Sequence, residues 1–200
     1  MVFRVILAGL LGGALMFGGG FVEHMMLDWV GRQMKQPLEE SALRNEFRKH
    51  FPDAGVYGFP HPPKDFKTMS KADQEKTWHE LGEEYKKGPS AFVIVAPTGE
   101  EMMDWKTLTS EFGTNVLAAL FAAIVVSMTR PSIGFCGRWF VCFLFGAFAW
   151  VSVNASYHIW YRFPWAWVQD ELFCSLLEVG VAGIVIAAIV RPPAEVQSVR

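Results

Sequence analysis

Apolar residues along this chain gather into four long runs, Val5–Val22, Asn115–Met128, Trp139–Ala155 and Leu172–Val190. A helix needs about 20 mostly apolar residues to cross a bilayer core, and three of the runs are long enough. The second covers only about 21 Å as a helix. Extended back to Leu108 it gains a polar outer end, with Glu111 as its only charge. A half-inserted helix is the competing reading of that run. Between the first and second runs the pattern changes: Gly31 to Thr114 holds 26 of the 38 Lys, Arg, Asp and Glu residues.

Shorter periodicities appear inside this polar stretch. Leu38, Ala42, Leu43 and Phe47 have helical spacing over Leu38–His50, which Phe51–Pro52 ends. Ala54–Phe59 reads as a short strand, with Gly55 and Gly58 at turn or bulge positions. Ser70 is an N-cap residue type, and Trp78, Leu81 and Tyr85 mark one face of the helix it opens, which Gly88–Pro89 closes. AFVIVA at Ala91–Ala96 reads as a second strand. The expected architecture is a membrane all-α protein: a four-helix transmembrane bundle with a small α+β extracytoplasmic insert between spans 1 and 2. Its divisions are 1–30 (first span), 31–107 (insert) and 108–200 (spans 2–4 with short loops and a cytoplasmic tail).

Charge changes this picture in two ways. The net charge of −2 comes without a basic stripe, which argues against a nucleic-acid partner. Arg4, Arg130, Arg138, Arg191 and Arg200 flank the spans on one side, where Glu195 is the only acid. The positive-inside rule then places both termini and the Thr129–Arg138 loop in the cytoplasm, and the insert and the Ser156–Glu171 loop outside. Trp29, Tyr157, Trp160, Tyr161, Trp165 and Trp167 fall at that outer interface, where aromatic belts form. The N-terminal run shares its basic start with signal peptides but is longer, and it reads as an uncleaved signal anchor. Cys136, Cys142 and Cys174 lie in or beside the spans without a CxxC pair, so no disulfide staples the insert.

Candidate chemistry sits inside the spans. Gly9, Gly13, Met16, Gly20 and His24 fall on one face of the first helix, and small residues there permit close helix packing. That face points His24 into the bundle. Asn154 and His158 follow Trp150 at steps of four, Glu171 and Glu178 share a face with Ser175, and Glu111 and Asn115 share one with Ala119 and Ala122. The outer half of the bundle thus carries His24, Glu111, Asn115, Asn154, His158, Glu171 and Glu178. Glu178 lies roughly 10–12 Å of helix below the outer boundary, and an acid at that depth needs a partner or a function. Interhelical hydrogen bonding, a haem b or divalent-metal site at His24 and His158, and a proton or small-molecule path through Glu178 are the three readings. No GxSxG, HExxH or phosphate loop is present.

The order of a long first outer loop and a short second one resembles claudin-type tetraspan proteins, without their paired loop cysteines and Trp-rich loop signature. GLLGGALMFGGG followed by His24, GPSAFVIVAPTGEE and YHIWYRFPWAW together resemble uncharacterised bacterial four-span inner-membrane proteins. That resemblance implies a bacterial inner-membrane address and no activity. The leading expectation is a non-enzymatic accessory or scaffolding subunit of a larger membrane assembly, its partners being the lipid bilayer and other membrane subunits. The alternative is a redox membrane protein using His24 and His158.

Overall fold

The computed structural model describes residues 1–99, 101 and 103–191. In chain order its helices and strands are α1 (Val2–Phe21), α2 (Glu40–His50), β1 (Gly55–Phe59), α3 (Lys71–Lys87), β2 (Ala91–Val95), α4 (Trp105–Ser127), α5 (Phe135–Ala149), α6 (Ala155–Tyr161) and α7 (Trp165–Ile189). They divide into two compact units, Met1–Lys35 with Glu101–Arg200, and Gln36–Glu100. Arg200 and the tail from Pro192 lie outside the described residues.

Four helical stretches in the first unit are long and apolar enough to cross a membrane: Val2–Leu27, Trp105–Ser127, Phe135–Tyr161 and Trp165–Ile189. Each extends past the apolar run that announced it. Polar and aromatic residues at the ends stay helical, because the backbone must satisfy its hydrogen bonds internally wherever water is scarce. The second span has 23 residues, enough for the bilayer core. It starts where Asp104 accepts a hydrogen bond from the Thr107 amide at 2.7 Å. Hydrogen bonding by Thr107 holds the Asp104 carboxyl below its ordinary pKa, and the negative charge suits a helix N-terminus. Two spans contain a wide π turn, at Val22–Leu27 and at Trp150–Asn154. The expected outer loop Ser156–Glu171 is largely helical: α6 and α7 leave only residues 162–164 between them, with Arg162 left-handed at φ 62°.

Helix α1 is the hub, packing on α4 and α7, while α5 packs on α7 and meets α4 sparsely. Small residues set these distances. A Cβ on Gly13 would lie 2.6 Å from the Val116 amide nitrogen, and one on Gly9 would collide with Leu120. On the other side of the bundle a Cβ on Gly146 would lie 2.6 Å from the Ser175 carbonyl oxygen, and one on Gly183 would lie 2.8 Å from Cys142 Cβ. Ala119, Ala122, Ala123 and Ala182 fill the centre. Polar hooks then tie the third span to α7: Trp139 Nε1 donates to the Gly180 carbonyl at 2.9 Å, and Trp150 Nε1, in the π turn, to the Val168 carbonyl at 2.6 Å. Buried Arg138 donates to the Ala187 carbonyl at 3.0 Å and the Ile133 carbonyl at 2.6 Å. It therefore satisfies a carbonyl near the end of α7 that has few intrahelical alternatives.

The second unit is the α+β insert. Strands β1 and β2 pair antiparallel, Gly55 opposite Val95 and Phe59 opposite Ala91, in a sheet of two strands. Ser70 caps α3 by accepting from the Asp73 amide at 3.2 Å. Phe47, Phe51 and Tyr57 form an edge-on aromatic chain joining α2 to β1, and Phe66 meets Trp78 at 5.3 Å. Leu81 is the one buried hydrophobic residue among the described residues of this unit. Val56 and Ile94, directly opposite each other, are 62% and 75% exposed.

Candidate functional site

The buried seam of α1 runs through Gly9, Gly12, Gly13 and Met16 and reaches Glu23. A helix packed along its length presents a position about every 3.5 residues to its neighbours. Seven residues beyond Met16 is Glu23, not His24. The expected inward-facing His24 is instead exposed, and it acts electrostatically on Glu171. Glu23, which sequence spacing in steps of four passed over, is 1% exposed. The signal that could have found it is the heptad step from Gly9 through Met16.

Both Glu23 carboxyl oxygens are buried without a conventional hydrogen-bond donor. The groups beside them are the Glu178 carboxyl and the Cys174 thiol of α7. Two carboxyls can bond to each other only when one carries a proton, since an ionised carboxylate only accepts. Glu171 and Glu111 add their fields to Glu178 from α7 and α4. Gly20 allows this approach, because a Cβ there would lie 3.0 Å from Glu178 Oε1. Glycine in the first span thus serves both helix packing and the carboxyl pair.

Glu178 also lines a partly enclosed cavity of about 400 Å³ bounded by all four spans. Met16, Ala119, Ala122, Phe145, Ala149 and Ala182 supply most of its apolar wall, and Ser175 is the other polar side chain. The sparse contact between α4 and α5 leaves this space. Its size is at the lower end for small-molecule pockets, about 300–1,000 Å³.

Nearby, buried Asp170 accepts from Arg32 Nε at 3.2 Å, from a second Arg32 nitrogen and from Gln33 Nε2 at 2.7 Å. This clamp ties the chain leaving the first span to the first turns of α7. The Asp170 carboxylate raises the pKa of the Arg32 guanidinium, so the one basic side chain of this clamp is already engaged.

The remaining expected site residues are dispersed. Asn115 is buried, Glu111 exposed and Asn154 half-buried. His158 Nδ1 lies 2.7 Å from the Phe163 carbonyl oxygen, and its ring packs on Trp165 at 5.2 Å. Among the described residues, no group of three or more His, Cys, Asp or Glu is arranged to hold a metal ion.

Comparison with known protein families, with curated proteins and with solved structures finds no match.

Proposed function

We propose that this integral membrane protein is a non-enzymatic accessory subunit of a larger membrane assembly. Its insert would be the part that engages another subunit. The carrying observation is the thin core of that insert. A two-stranded sheet is marginal in water by itself, and this insert has Leu81 as its single buried hydrophobic residue among those described, with Val56 and Ile94 in the open. Among the described residues the sheet has two strands, so each has one edge without a further strand, and open edges are templates for a further strand. The supporting chemistry is that of a surface completed by a partner.

The test is blue-native electrophoresis from mildly solubilised membranes. The wild-type chain is expected in a band well above its own mass, and the double variant Val56→Lys, Ile94→Lys in a smaller one with an unchanged melting temperature. A wild-type band at monomer size would overturn the proposal, and a visible haem absorption in that band would favour the redox reading at His24 and His158.

For location we propose the bacterial inner membrane, with both termini cytoplasmic and the insert outside, as the arginine distribution supports. Alkaline phosphatase fusions after Ala54 and after Pro164 are then both active. A silent fusion at Ala54 would reverse the topology.

A further inference from the structure

We infer that the cavity beside Glu178 is a binding site for an amphipathic primary amine, its ammonium held by Glu178 and its apolar body lodged among Met16, Ala122, Phe145 and Ala149. Three observations meet here. The cavity wall is apolar except for Glu178 and Ser175, so an occupant must be mostly hydrocarbon with one polar end. That polar end faces carboxyls: Glu178 has Glu23 beside it, and Glu171 and Glu111 also act on it. Behind Glu178, Glu23 is buried with both oxygens lacking a donor.

Charge narrows the class of occupant. A carboxyl pair sharing one proton carries a single negative charge. One ammonium neutralises it and offers three donors in a compact group. A divalent ion would need the pair fully ionised and further ligands, and the described residues offer no set of three. A hydrated inorganic cation would leave its water against the alanine and phenylalanine walls. An anionic head would meet Glu178 itself, with the fields of Glu23, Glu171 and Glu111 behind it. Glu178 contacts the ligand directly, while Glu23, which does not line the cavity, is a positioning residue beside Glu178.

The probe is octylamine, with 1-octanol as its uncharged match, added to full-length protein in phosphatidylcholine nanodiscs. Octylamine is expected to raise the melting temperature by roughly 5 °C near saturation, as a ligand specific for the folded state does. Octanol is expected to leave it unchanged. Glu178→Gln should remove the octylamine shift. Ala149→Phe, a change at an exposed wall residue, should remove it by filling the cavity while the carboxyls stay in place. Equal shifts with octanol, no shift with octylamine, or a full shift in either variant would overturn the assignment. Nanodiscs containing phosphatidylethanolamine identify the source of the amine: loss of the octylamine response there means that the lipid headgroup already occupies the site, and a retained response means a free amine.

Discussion

Gly13→Leu prevents assembly of the bundle, whereas Gly18→Leu on the same helix leaves it intact. The contrast follows from what each side chain meets. A Cβ at Gly13 runs into the α4 backbone, 2.6 Å from the Val116 nitrogen, and neither backbone can yield as a side chain does. Around Gly18 a Cβ meets nothing within 4 Å. Overpacking a tight core costs about 1–3 kcal/mol even when side chains adjust, and here the whole α1–α4 contact must open. At Gly18 the exchange removes a poor helix former, worth up to about 1 kcal/mol in favour of the variant. Gly20→Leu should fall between them, because its neighbour is the mobile end of Glu178. Melting temperature and size-exclusion profile in mild detergent decide the matter. Equal behaviour of the Gly13 and Gly18 variants would show that α1 does not pack through this face.

The second large effect has the opposite sign. Glu23→Leu should raise stability by about 2 kcal/mol. An acid at the centre of a spanning helix costs roughly 2.5–3.5 kcal/mol on insertion scales; Glu23 lies nearer the end of Val2–Leu27, but both its oxygens are buried without a donor. The bond that a proton can make between Glu23 and Glu178 recovers little, since interhelical hydrogen bonds in membranes average about 0.6 kcal/mol. Leucine is close to glutamate in size, so little cavity or clash is created. The gain should come with a weakened octylamine response, because Glu178 loses the neighbour that positions it. Functional sites are often kept at the expense of stability. A fall in melting temperature on Glu23→Leu would make this carboxyl a structural tie instead.

The two predictions rest on residues of different legibility. The spans are plain in the sequence because a bilayer demands long apolar helices, and Ser70 and AFVIVA mark α3 and β2 by local chemistry alone. Gly9 and Gly13 also stand out, as small residues four apart. Span ends are not legible, because Trp, Tyr and Thr are equally at home in an interfacial loop and in the last helical turn. The site is legible by halves. Glu178 announces itself as an acid inside an apolar run. Glu23 follows the glycine run and resembles the end of a span; only a seam repeating at 3.5 residues places it inside and His24 outside. The hooks from Trp139, Trp150 and Arg138 go to backbone carbonyls, which carry no sequence signature.

Helix α1 is made first, yet its most extensive interface is with α4. About eighty residues separate Leu27 from Trp105, and synthesis proceeds at ~5–20 residues per second. For about 4–15 s after leaving the ribosome, the glycine seam has no α4 against it, and Glu23 waits about 8–30 s for Glu178 on α7. During that interval α1 stands without its later partners, its notched side and a buried-type acid uncovered, a natural client for the membrane insertion machinery. The bundle can close only after α7 is made, so its quality control acts on whole chains: a truncation anywhere before α7 leaves the same unpaired carboxyl in the bilayer.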